Sequence, residues 1–253
     1  IPPNDVARVC AEYATEHGIP YVADINDLWP EAMRMVVDIP VLSDVAFYPF
    51  ARDAKRVYQL LSGAVGTSEE YAARPAKDRT APYPHATVYV GNDLAAFDEG
   101  AREHMADVEK PEGELWAVYA GTLGASYDLA TLIKAAALLE KRRAAHTART
   151  TAAGTAKRHR PFPAVKVKIL GDGPDRQRLE ELARQENAPV DFLGYQDHGS
   201  MAAWLRASDI TVNSLVKSAV QSIVTKIGDY LASGKPMINT GSSPEFRNKV
   251  TTD

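Results

Sequence analysis

Cysteine is almost missing from this chain. Cys10 is the only one in 253 residues, so no internal disulfide can form. Stability must then come from a packed core, and a reducing, cytoplasmic setting is expected. Cys10 shares a helical face with Val6, Val9 and Tyr13, a spacing that predicts a buried, inert thiol. No apolar run approaches the length of a membrane span, and no signal-peptide pattern is visible. Neither sign of charge dominates: 29 basic and 33 acidic residues leave a net charge of −4. That balance excludes a global electrostatic footprint for nucleic acid. Two nucleotide signatures are also missing. Gly171-Asp172-Gly173-Pro174 begins like a dinucleotide fingerprint, but Arg176 stands where the third glycine belongs. Gly234-Lys235 is followed by Pro236, so there is no phosphate-loop motif.

What remains is the composition of a globular α/β protein, with 45% hydrophobic and 25% charged residues. Strands and helices alternate along the chain. Ile19–Ile25, Ala64–Thr67 and Thr87–Gly91 read as strands in the first half. Leu115–Ala120, Val165–Leu170, Val190–Leu193, Ile210–Asn213 and the segment from Met237 read as strands in the second. These strands are too apolar for one-sided burial, which implies doubly wound parallel sheets. The polar stretch 107–114, with Pro111 and Gly113, is the best linker, dividing the chain into domains 1–110 and 111–253. The Ala-, Thr- and base-rich stretch 141–160 contains no acid. It reads either as a disordered surface insertion or as a basic flap for anionic lipid headgroups or a phosphate-bearing acceptor. Ile1-Pro2-Pro3 leads straight into a helix and the far end stops in one, so a piece of a longer protein is expected.

The stretch from Gln221 to Asn239 reads as a helix followed by a strand. Ile223, Ile227, Tyr230 and Leu231 form an apolar stripe, with Thr225, Lys226 and Asp229 on the opposite side. Gly234 and Pro236 end the helix. In open parallel sheets, ligands bind beyond the carboxyl ends of the strands, where backbone N–H groups favour anions. Four strand ends carry suitable residues: Gly121-Thr122-Leu123-Gly124, Gly171-Asp172-Gly173, Gly194-Tyr195, and the small-residue loop from Asn213 through Ser218 to Gln221. Lys226 would add charge near a diphosphate bound there. For Lys226 and Asp229, three residues apart, the alternative is a plain surface ion pair.

Taken together and in order, these motifs resemble the family-4 glycosyltransferases of the GT-B fold, especially bacterial capsule and O-antigen enzymes. The likeness runs through Tyr119-Ala120-Gly121-Thr122-Leu123-Gly124-Ala125-Ser126, Ile169-Leu170-Gly171-Asp172-Gly173-Pro174 and Phe192-Leu193-Gly194-Tyr195. It continues in Gln221-Ser222-Ile223 and in Lys226-Ile227-Gly228-Asp229-Tyr230-Leu231-Ala232-Ser233-Gly234-Lys235-Pro236. Asp24-Ile25-Asn26-Asp27-Leu28-Trp29-Pro30-Glu31 and Val88-Tyr89-Val90-Gly91-Asn92-Asp93 resemble the family's acceptor domain. The resemblance implies a GT-B architecture, two Rossmann-like parallel-sheet domains facing a cleft, the N-terminal one incomplete here. It implies a retaining, metal-independent transfer of sugar from a nucleoside diphosphate to a hydroxyl acceptor, with no cofactor beyond the donor substrate. Such an acceptor would be amphipathic, for example a polyprenyl-linked glycan, and would bring the protein to the cytoplasmic face of a membrane.

By the same resemblance, Asp229 holds the donor ribose, Gln221 lies near the donor sugar, and Lys226 lies beside the diphosphate. Gly121, Thr122 and Gly124 face phosphate, and Gly194 with Tyr195 meets the base; Ser218 is a candidate from the small-residue loop alone, whose N–H groups can meet a diphosphate. Asp27 is the candidate acceptor-side group, although it serves equally well as a turn former. Three positions depart from the family pattern. Many relatives have Glu where Gln221 and Asp229 stand, a basic residue where Thr122 stands, and a His near Asn26. A GT-B-fold sugar-nucleotide epimerase and a non-catalytic nucleotide-sugar-binding partner are the competing readings.

Overall fold

The computed structural model describes residues 2–34, 39–152, 162–217 and 223–252. They fall into two compact units. The first comprises residues 1–91, 217–224 and 242–253, and the second residues 92–216 and 225–241.

In the first unit, helix α1 (Asn4–Glu16) leads to strand β1 (Val22–Ile25), a single turn α2 (Glu31–Arg34) and a long helix α3 (Leu42–Leu60). Strand β2 (Gly63–Gly66), the turn α4 (Glu69–Ala72) and strand β3 (His85–Thr87) follow. The three strands are parallel in the order β1-β2-β3. Ala23 and Ile25 of β1 pack with Ala11 of α1 and with Ala54, Val57 and Tyr58 of α3. The face of α1 that packs inward carries the small residues Ala11 and Ala14, together with Asn4, whose Nδ2 donates to the carbonyls of Trp29 and Phe50. Val6, Val9 and Tyr13 are more than half exposed, and Cys10 is exposed with them. The expected buried thiol is therefore corrected: alanines let α1 approach the sheet closely, and the larger apolar side turns outward.

The second unit begins earlier than the polar stretch 107–114. Helix α5 (Leu94–His104) belongs to it, packed on a later helix. Then come β4 (Glu114–Ala120), α6 (Leu129–Ala152), β5 (Ala164–Leu170), α7 (Arg176–Glu186), β6 (Val190–Gly194), α8 (His198–Ala207) and β7 (Ile210–Asn213). Helix α9 (Ile227–Ala232) and strand β8 (Met237–Asn239) complete it, while α10 (Pro244–Thr252) counts with the first unit. All neighbouring strands are parallel, in the order β6-β5-β4-β7-β8. The core lies between this sheet and the helices α6 and α7, around Tyr119, Leu129, Ile133, Ile169 and Leu179. Helix α6 extends through the first part of the basic stretch, so residues 141–152 are helical. Residues 153–160 of that stretch lie outside the described residues. Among the described residues no helix is long and apolar enough to cross a membrane.

Candidate functional site

The strand order of the second unit reverses between β4 and β7. From β4 the chain builds outward to β5 and β6, then returns to place β7 and β8 on the other side. Ligand crevices in open α/β sheets form at such a point, beyond the carboxyl ends of the two strands. Here β4 and β7 pair only through Ala117↔Ile210 and Val118↔Thr211. Two residues further on, the Ala120 backbone has no partner in β7. The buried Tyr230 hydroxyl fills that gap: it accepts from Ala120 N at 2.9 Å and donates to Ala120 O at 3.1 Å. Helix α9 is thereby tied to the end of β4.

The loop leaving β7 is anchored on both sides. Asp128 N donates to Ser214 O and Val216 N to Ser126 O, forming a short bridge at Tyr127 and Leu215. On the other side, Leu215 N donates to the Thr240 hydroxyl, which donates in turn to Leu215 O. Two expected contacts, Ser218 and Gln221, lie outside the described residues.

Lys226 lies where β4 ends, but in another setting than the periodicity predicts. The helix starts at Ile227 with Lys226 as its N-cap residue in helical conformation, and Tyr230 N donates to Lys226 O at 3.1 Å, so Lys226 lies one turn before the buried Tyr230 and on the same side. Its ammonium group turns inward. Nζ lies 4.1 Å from the ring centre of Tyr119 and 3.7 Å from that of Tyr127, and donates to the Tyr119 hydroxyl at 2.9 Å. Among the described residues no carboxylate pairs with it. Two aromatic faces stabilise a desolvated cation by roughly 2 kcal/mol each at best, less than full loss of hydration costs. Burial accordingly pulls the amine down from its ordinary 10.5 to about 7. Burial also raises the surrounding phenols Tyr119, Tyr127 and Tyr230 above their ordinary 10. Leu231, expected in the buried stripe, is 60% exposed, whereas Ile227 and Tyr230 are buried.

The glycine turns pack on this amine and on one another. A Cβ on Gly121, whose φ is +150°, would come within 2.3 Å of Lys226 Nζ. A Cβ on Gly171, at φ +119°, would meet Gly121 O at 2.0 Å. These glycines are required first for turn-on-turn packing. Gly124 differs, because a Cβ there would meet only Thr122 Cγ2, at 3.8 Å. Gly121, Thr122, Gly171, Asp172, Tyr195, Gln196 and Met201 line a cavity of about 310 Å³. Gly194, at φ +72°, accepts from Gly171 N at 2.6 Å just behind that wall, and the Tyr195 ring is open to solvent. The structure thus brings Gly121, Thr122 and Tyr195 together around one hollow, with Gly194 behind its wall and Lys226 against Gly121.

Asp229 is held from two directions that sequence reasoning missed. Asn92 Nδ2 donates to its Oδ1 at 3.1 Å, and His198 Nε2 lies 3.3 Å from the same oxygen. The surface pair with Lys226 does not form, because the lysine faces the tyrosines. Asn92 carried a signal only within the acceptor-domain motif Val88–Asp93, and His198 carried none. In the first unit, Asp27 accepts from Leu28 N at 2.8 Å and from Trp29 Nε1 at 3.2 Å, so both its oxygens serve the local turn.

Residues 115–252, more than half the chain, match the sequence family described as "Glycosyl transferases group 1". No curated protein sequence matches the chain. Among solved structures, Anabaena HepE in complex with UDP is similar at 15% identity and a TM-score of 0.62, over 98% of this chain and 66% of that one. WaaG, a glycosyltransferase involved in lipopolysaccharide biosynthesis, is similar at 12% identity and a TM-score of 0.63, over 96% of this chain and 65% of that one. Sucrose-phosphate synthase from Thermosynechococcus elongatus is similar at 16% identity and a TM-score of 0.56, over 92% of this chain and 59% of that one. At such identities the likeness establishes the fold, two Rossmann-like units of the GT-B class. The chain spans about two thirds of the length of these proteins or less.

Proposed function

The chain belongs to the group 1 glycosyl transferases, and on that premise we propose that its second unit binds a nucleoside-diphosphate sugar at the carboxyl ends of β4 and β7. The protein of which it forms at least part transfers the sugar to a hydroxyl acceptor. The observation that carries this reading is Lys226: a cation with no carboxylate partner among the described residues, set against Gly121 at the end of β4. An arriving diphosphate supplies the missing counter-charge. HepE was solved with UDP and with UDP-glucose, which makes uridine nucleotides the first donors to test.

In the proposed reaction, the bond between the anomeric carbon and the diphosphate oxygen breaks while the acceptor oxygen bonds to that carbon on the same face. The acceptor proton passes to the departing diphosphate. Charge accumulates on the leaving group, where Lys226 and the backbone N–H groups of Thr122 and Gly124 stabilise it without a metal, those of Gly121 and Leu123 being taken by Leu170 O and Asp172 O. Asp229 holds the ribose, and the hollow beside Tyr195 receives the base. The acceptor is an amphipathic carrier such as a polyprenyl-linked glycan at the cytoplasmic membrane face, in assembly of a capsule, O-antigen or exopolysaccharide.

Incubation with labelled nucleotide sugars tests this reading. Release of nucleoside diphosphate, with transfer of the sugar or its slow hydrolysis, is the expected result. Conversion of the free donor to an isomer, or binding with no turnover by the full-length protein, would overturn it.

A further inference from the structure

The Asp229 carboxylate is held through one oxygen only. Asn92 Nδ2 and His198 Nε2 both meet Oδ1. A carboxylate can only accept, so the imidazole carries its proton on Nε2. Among the described residues Oδ2 receives no hydrogen bond. We propose that Asn92 and His198 are positioning residues, which hold Oδ1 so that Oδ2 presents a fixed acceptor to one ribose hydroxyl of the bound nucleotide. The inference rests on the reading of Asp229 as the ribose-holding acid.

Both donors are themselves fixed by packing. Asn92 lies flat on the start of α9, where a Cβ on Gly228 would come 3.2 Å from its own Cβ. His198 is the first residue of α8, a helix start set by Asp197, which accepts from Ser200 N at 3.0 Å and from the Ser200 hydroxyl at 2.7 Å. The buried Phe97 of α5 meets the imidazole at 6.1 Å in an edge-on arrangement. Helices α5 and α8 approach this closely because Gly100 and Gly199 face each other: a Cβ on Gly100 would lie 2.5 Å from Gly199 Cα. A lone surface His–Asp pair contributes little. Two donors from separate elements converging on one oxygen do something else: they fix the plane of the carboxylate. A hydroxyl donor meeting a prealigned acceptor then loses less freedom on binding.

The test is a set of calorimetric titrations with UDP, GDP, ADP and dTDP, with the tightest ligand carried into variants. Asp229→Ala is expected to weaken binding at least about tenfold, the loss of one charge-assisted hydrogen bond. His198→Ala and Asn92→Ala are each expected to weaken it roughly three- to tenfold, and His198→Gln, which keeps an N–H donor, to restore most of the loss. In an Asp229→Ala background, His198→Ala should add less than about twofold, because the histidine acts through the acid. With donor sugar, His198→Ala and Asn92→Ala should each raise KM by a larger factor than they lower kcat. If none of the four nucleotides binds the wild type, or if Asp229→Ala binds as the wild type does, the site reading itself fails. If Asp229→Ala weakens binding but His198→Ala and Asn92→Ala do not, or if the losses add in the double variant, the positioning role alone is overturned.

Discussion

Lys226 ties folding and ligand binding to pH with opposite signs. In the unfolded chain the amine titrates at its ordinary 10.5, and in the folded protein burial lowers it to about 7. Between those values the unfolded state binds more protons, so stability rises with pH across that window. The stabilisation is complete above the unfolded value, is lost as pH falls toward 7, and is flat below. The limiting slope is about 1.4 kcal/mol per pH unit, and allowing for half-protonation at pH 7, the gain from pH 7 to 9 is about 2 kcal/mol. Tyr119, Tyr127 and Tyr230 stay neutral over this range and add no competing slope. A diphosphate that needs the ammonium form behaves oppositely. Its affinity should fall about fiftyfold from pH 7 to 9, following the protonated fraction of the free protein's amine. The assay is urea denaturation and nucleotide titration at half-unit pH steps, for wild type and for Lys226→Met. In the variant both contributions should vanish, and its stability curve should diverge from wild type above pH 7. Parallel stability curves for the two proteins would refute the enclosed, desolvated amine.

Other expectations follow from contacts of the same kind. Tyr230→Phe removes the hydroxyl that serves both Ala120 N and Ala120 O, so a loss of about 1–3 kcal/mol is expected in urea denaturation; a change under about 0.5 kcal/mol would contradict that role. Gly171→Ala forces a Cβ into Gly121 O and an unfavourable φ, and should cost more than about 2 kcal/mol by the same assay. Gly124→Ala meets only Thr122 Cγ2 at 3.8 Å, so its urea midpoint should be unchanged while nucleotide affinity falls, as crowding of a phosphate-facing turn requires. Asp27→Ala frees Leu28 N and Trp29 Nε1; a loss of about 1 kcal/mol and a shift in tryptophan emission are expected.

The parallel sheet of the second unit was legible from its central strand, where Trp116–Ala120 reads as a continuous apolar run buried on both faces, and from the regular alternation of strands with helices. The glycine turns were legible as strand ends. Their mutual packing was not, since it depends on positive φ values that sequence leaves open. Periodicity counted Lys226 with Thr225 and Asp229 on the polar side, although it stands four residues before the buried Tyr230. Its side chain therefore follows Tyr230 inward, toward Tyr119 and Tyr127. The apolar set Val6, Val9, Cys10 and Tyr13 shows the converse: helical spacing finds a stripe but not what covers it. Asn92 and His198 could not be linked to Asp229 beforehand, because three distant segments meet only in the folded unit.

The central claim is that Lys226 and Asp229 belong to one nucleotide site at the carboxyl ends of β4 and β7. Its most direct test is calorimetric titration of UDP into the full chain and into Lys226→Ala and Asp229→Ala at pH 7. Saturable binding in the wild type, weakened at least about tenfold in each variant, is predicted. UDP binding that both variants retain at wild-type strength would contradict it.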